Sequence, residues 1–152
     1  MITWFDALLV TLLAATTALG ARRGLAGLAW GVGIVAVCFV CNALLSGWVA
    51  LPAALLLGFG VAWLARRLVG PVIETWHLAV GAVGGFLAGL VLVGSLALGF
   101  PIDPVSNQYP AGTLPPSIHD AVVNSYLKQE LFPVFGSKSA LRTLLIPDFN
   151  RR

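Results

Sequence analysis

From Gly24 to Ala65 the chain runs for 42 residues without one charged side chain. A bilayer's hydrocarbon core is ~30 Å thick and takes ~20 helical residues per crossing, so this run is too long for one passage and fits two. A second run, residues 75–102, also lacks Asp, Glu, Lys and Arg, and His77 is its one titratable group. Charged residues make up 10% of the chain and hydrophobic residues 59%, against roughly 25% charged in an ordinary soluble domain. Too few charges remain to clothe a surface in water. The expected solvent is the lipid bilayer, and the expected fold is an all-α polytopic membrane protein.

Four antiparallel transmembrane helices are predicted, over residues 2–21, 24–45, 48–65 and 76–100. The chain then divides into a membrane domain, residues 1–100, and a tail, residues 101–152. The connections are short: Arg22-Arg23, Ser46-Gly47, and residues 66–75 with Gly70-Pro71 as a breaker. Short connections force consecutive helices to lie antiparallel. A signal peptide would carry a basic start, but Met1 to Phe5 have no Lys or Arg and Asp6 stands in that region, so the first span reads as a retained helix. Arg22 and Arg23 follow the first span, and Arg66 and Arg67 the third, while the other short segments have no basic residue. Positively charged loops stay cytoplasmic, which puts these four arginines in cytoplasmic loops and both termini on the other side.

The tail has a different character. Residues 101–116 contain five prolines together with Asn, Gln, Ser and Gly, the composition of a turn-rich loop. Ser117 with Asp120 three residues on resembles a capping box and predicts an amphipathic helix over about 117–132, stopped by Pro133. Ile118, Val122 and Tyr126 form one apolar stripe of that helix; Val123, Leu127 and Leu131 form the next. A shorter helix is expected over 139–146. Both would lie on the bilayer surface or cap the bundle.

Candidate functional residues are few. Gly81, Gly85 and Gly89 recur every four residues on one face of the fourth span, and Gly27 and Gly31 do so on the second. Such faces let helix backbones approach closely and gain the van der Waals contact that lipid cannot supply. Asp6 is a candidate intramembrane polar site: an acid one turn inside a span is either a proton or cation site, or a helix-end carboxylate favoured by the dipole. Glu74, Trp76 and His77 read as boundary residues of the fourth span. Cys38 and Cys41 share a helix face, yet a structural zinc site needs four ligands and no second pair completes one, so no metal and no cofactor is expected. No nucleophile elbow, phosphate loop or dinucleotide fingerprint occurs, which argues against an enzyme. The net charge of +3 is small and scattered, which argues against nucleic acid as a partner. The expected partners are the lipid bilayer and other proteins, or a second copy of the chain.

Trp4-Phe5-Asp6 at the head of the first span, Gly20-Ala-Arg-Arg-Gly24 at its end, Trp30 in the second and the Gly81, Gly85, Gly89 repeat in the last occur in an order that resembles the CvpA family, named for colicin V production. The resemblance covers about residues 3–100. Where family members carry an acidic–basic pair before the glycine repeat, this chain has Trp76, His77 and Leu78. The resemblance implies a protein of the bacterial inner membrane, an accessory or scaffold component in colicin V production or export or in envelope homeostasis. The residues alone leave two other readings open: a small transporter or channel subunit that oligomerises around a pathway lined by Asp6, and a membrane anchor for a larger complex.

Overall fold

In the computed structural model of the protein, residues 2–45, 47–68, 74–99, 112, 114–135 and 143–145 are described. Of these, 91% are helical and none is in a strand. The helices are α1 (Trp4–Arg23), α2 (Leu25–Leu44), α3 (Gly47–Leu68), α4 (Thr75–Gly99), α5 (Pro116–Val123) and α6 (Tyr126–Phe135). Three of them, α1, α2 and α4, are long and apolar enough to cross a membrane. They wear their apolar side chains outward: Val10, Leu19, Val32, Phe39, Val40, Val83, Phe86 and Leu92 are all exposed. Water would not tolerate that surface over three adjacent helices, and hydrocarbon favours it.

Glycine decides how the helices meet. A β-carbon on Gly20 would strike the backbone of Gly81 and Gly85, and one on Gly85 would strike Thr16 and Gly20. Farther along, Gly89 lies against Thr16 and Leu13. Residue numbers rise on one helix as they fall on the other, so α1 and α4 run in opposite directions with their backbones in contact. On its adjacent face α4 meets α2, where Gly84 lies against Gly27 and Leu28, and Gly31 against Gly84. Gly27 in turn abuts Gly20. The central helix is therefore α4, with α1 and α2 in its two glycine grooves. α3 stands outside this trio and packs mainly on α2, with Gly33 against Val61.

The α1–α2 link is tighter than the sequence suggests. α1 continues through Arg22 and Arg23, and Gly24 alone makes the turn with φ +55° and ψ −132°. That conformation is open to glycine and strained for other residues. Arg66 and Arg67 likewise lie in the last turn of α3. The four arginines are thus helix-terminal residues and not loop residues, a correction with a simple cause: a cation in the last turn of a helix faces the unpaired carbonyls and the negative end of the dipole.

The tail departs from expectation in three places. The predicted helix over 117–132 is two helices, broken at Asn124-Ser125. Ser117 caps nothing: Pro115 is the N-cap and Pro116 the first helical residue, with no side-chain cap bond. A proline at that position already has the helical φ and lacks only an N–H that had no partner, so the start moves ahead of Ser117. Finally, Pro133 lies inside α6, which runs on to Phe135. Of the shorter helix expected over 139–146, residues 143–145 are helical, and the rest lies outside the described residues, as does most of the 101–116 loop.

The tail also shares the core of the membrane helices. Phe5 and Leu9 of α1 and Val91, Val93, Ala97 and Leu98 of α4 form one buried cluster with Ala121, Val122 and Leu145 of the tail. The core sits at the end of the bundle away from the arginines. There, α5 and α6 cover the start of α1 and the last turns of α4.

Candidate functional site

Thr3 is the N-cap of α1, with an extended backbone whose hydroxyl accepts from the Asp6 N–H at 3.4 Å. The Asp6 carboxylate reaches back and accepts from the Thr3 N–H at 2.8 Å and the Thr3 hydroxyl at 2.9 Å, both through Oδ2. This is a reciprocal capping box, and it consumes two amides that the first turn of a helix leaves unpaired.

The same carboxylate caps a second helix from outside. The Ser125 hydroxyl donates to Oδ1 at 2.6 Å and the Leu127 N–H donates to Oδ1 at 3.0 Å. The Tyr126 N–H donates to Oδ2 at 3.3 Å. Tyr126, Leu127 and Lys128 open α6, and the Lys128 N–H donates to the Ser125 hydroxyl at 3.2 Å. The first three amides of α6 are therefore satisfied, two by Asp6 and one by Ser125. Five donors converge on the two Asp6 oxygens. The positive ends of two helix dipoles meet there as well, which stabilises the ionised carboxylate without a cation. Asp6 is 3% exposed and Ser125 is fully buried.

A second pin holds the tail. The Asn42 side-chain amide, near the end of α2, donates to the Leu144 carbonyl at 3.0 Å. Leu145 fills the space above Gly94 of α4. Between the pins, Leu9, Val10 and Leu13 of α1, Leu90, Val93 and Gly94 of α4, and Leu127 and Leu131 of α6 line a cavity of about 100 Å³. Its walls carry no group that would bind an ion or a polar solute.

At the opposite end His77, the third residue of α4, is buried beneath the Gly24 turn. The Trp76 ring lies 3.9 Å from the His77 ring, and the Trp76 indole N–H donates to Glu74. Arg23 stacks on Trp30 and Arg67 on Trp63. Cys38 and Cys41 are free thiols within α2. Among the described residues no group of His, Cys, Asp or Glu is arranged to hold a metal ion.

The structure brings Gly27, Gly31, Gly81, Gly85 and Gly89 onto close helix contacts, and it leaves Asp6 at the far end of the bundle from Arg22, Arg23, Arg66 and Arg67. Sequence reasoning missed Gly20 and Gly84, which carry as much of the packing, and it missed Ser125. Gly20 was already visible as the residue four before Gly24 and seven before Gly27. Ser125 had no signal pointing to a partner 119 positions away. No protein-family model, curated protein or solved structure matches the chain.

Proposed function

We propose that the protein is a multi-pass membrane scaffold in which α1 to α4 all cross the bilayer, with the arginine-bearing ends in the cytoplasm and both termini outside. Its place is the bacterial inner membrane, and its role is the one the CvpA resemblance implies: an accessory component in colicin V production or export, or in envelope homeostasis, acting by binding other proteins. α3 joins the other spans because its 22 residues extend ~33 Å at ~1.5 Å per residue. Its outward side chains, Leu55, Leu56, Leu57, Phe59, Trp63 and Leu64, suit lipid or a partner helix.

The observation that carries this reading over a transporter is the saturation of Asp6. A proton or cation site needs a carboxylate with a free lone pair and a polar route to it. Asp6 has all its acceptor directions occupied by five donors, and the neighbouring cavity is lined by apolar side chains.

Gentle solubilisation of the full chain from its native membrane, followed by affinity purification, tests the reading. A stoichiometric membrane or envelope protein should co-purify, and proteoliposomes should show no ion or solute flux. A chain that purifies alone as a monomer and conducts a solute in a manner abolished by Asp6→Asn would overturn it.

A further inference from the structure

The arginine end of the molecule is more ordered than a topology signal requires. Gly33 of α2 faces Val61 of α3 and Gly58 of α3 faces Ile34, so the two helices run in opposite directions with Trp30 level with Trp63. The same register brings Arg66 and Arg67 level with the first turn of α2, which the Gly24 turn joins directly to Arg23. The Arg23 guanidinium lies 5.1 Å from the centre of the Trp30 ring, and the Arg67 guanidinium 4.7 Å from that of Trp63. Arg66, exposed in the last turn of α3, lies at the same level.

Among the described residues no carboxylate forms an ion pair with any of these arginines. Glu74, the acid closest to them in sequence, accepts from the Trp76 indole instead. The carbonyls ending α1 and α3 favour each arginine singly. They do not account for cations of two separate helices ending at one level, since like charges repel. A guanidinium over an indole, as at Arg23, still has N–H groups to donate; Arg66 meets no carboxylate or ring among the described residues, and guanidinium N–H edges match a phosphate. Indoles a turn or two inside a helix end sit at headgroup depth in a bilayer, with exposed Leu64 beside them on the apolar side.

We propose that the ends of α1 and α3 form a binding site for the headgroup phosphate of an anionic phospholipid, with Arg23 and Arg66 as its ligands and Trp30 and Trp63 flanking the glycerol and upper acyl chain. The site rests on the membrane reading above, and basic pockets between spans are known to favour such headgroups. A lipid is favoured over free phosphate because Trp30, Trp63 and exposed Leu64 lie near the arginines and suit acyl chains.

The test uses the full chain in detergent micelles, titrated with phosphatidylglycerol or with phosphatidylcholine of the same acyl composition, bound lipid being counted by native mass spectrometry. The wild type should retain phosphatidylglycerol preferentially. In Arg23→Gln/Arg66→Gln that preference should fall about thirtyfold, from roughly fivefold per basic side chain near an anionic surface. Should that variant fail to fold, Arg23→Lys/Arg66→Lys carries the test: it keeps the attraction to an anionic headgroup but loses the planar fork, so the preference should persist and weaken by about threefold. An unchanged preference in the glutamine variant, or in a folded lysine variant where the glutamine variant does not fold, overturns the proposal. Displacement of phosphatidylglycerol by an equal concentration of inorganic phosphate would reassign the site to the free anion. A wild type that binds neither lipid and stays dissolved without detergent would instead sink the membrane reading itself.

Discussion

Both oxygens of Asp6 are committed, so what happens when one is altered separates a structural carboxylate from a transporting one. Asp6→Asn keeps the shape but turns one acceptor into a donor facing Thr3, Ser125 or the α6 amides. Hydrogen bonds to a buried charge are worth ~1.5–3 kcal/mol, and a stranded donor costs ~1–3 kcal/mol. The expected loss is about 3 kcal/mol, read as a lower thermal midpoint in detergent, with faster amide exchange at Tyr126 and Leu127 and none of the change in exchange at Gly84 or Gly85. Ser125→Ala removes one donor and the acceptor for the Lys128 amide, so about 1–2 kcal/mol should go by the same assay. Equal exchange rates in wild type and Asp6→Asn would show that α6 does not depend on this carboxylate. Half of this site was legible in the sequence. Thr3 and Asp6 stand at capping-box spacing, and Asp6 is visibly an acid at a helix start. The other half was not, because Ser125 caps α6 by the ordinary local rule while its hydroxyl hydrogen goes to a residue 119 positions distant, and no spacing rule spans that separation.

Among the helices, α4 has the largest part because it offers two faces with almost no side chain. A methyl on Gly85 would meet the Thr16 carbonyl and the Gly20 backbone, neither of which can turn aside. Gly85→Ala must therefore push α1 off α4, at a cost of roughly 1–3 kcal/mol. Gly60 on α3 has open space around it, so Gly60→Ala should be neutral or stabilise by up to ~1 kcal/mol through helix propensity. Thermal unfolding of the two variants side by side checks this; an equal effect would remove the glycine-contact account. Gly24→Ala belongs to the same series. Its positive φ and its contact with the β-carbon of His77 predict a loss of about 1–3 kcal/mol from backbone strain. The extents of the long helices follow the uncharged runs closely, since hydropathy alone sets where a chain can sit in hydrocarbon. Their partners do not follow from spacing: Gly81, Gly85 and Gly89 mark a face, but only the presence of Gly20 opposite makes it the α1 face, and Gly84 shows that α4 has another. The helix ends slipped for local reasons, Pro115-Pro116 starting α5 early and the dipole drawing Arg22, Arg23, Arg66 and Arg67 into the last turns.

On the scale of the whole molecule, the tail and the membrane helices complete one another. Ala121, Val122 and Leu145 supply part of the buried cluster that otherwise rests on Phe5, Leu9, Val91, Val93, Ala97 and Leu98. The dependence runs the other way too. α5 has 8 residues and α6 has 10, whereas an isolated helix shorter than ~12–15 residues is marginal in water because nucleation costs more than so few bonds return. The tail should therefore be helical only while it sits on the bundle, with Asp6 accepting from the Tyr126 and Leu127 amides that the Ser125 cap leaves unpaired. A peptide of residues 112–152 should give the circular dichroism of a coil in buffer. A chain ending at residue 111 should keep α1 to α4 in detergent, yet melt at a lower temperature and exchange the amides of the first turn of α1 faster, because Asp6 then keeps only its Thr3 donors. Adding the peptide back to the shortened chain should restore both quantities in the wild type and fail to do so with Asp6→Asn. A peptide that is helical by itself, or a shortened chain as stable as the full one, would mean that the cap is an independent unit resting on the membrane helices rather than part of their core.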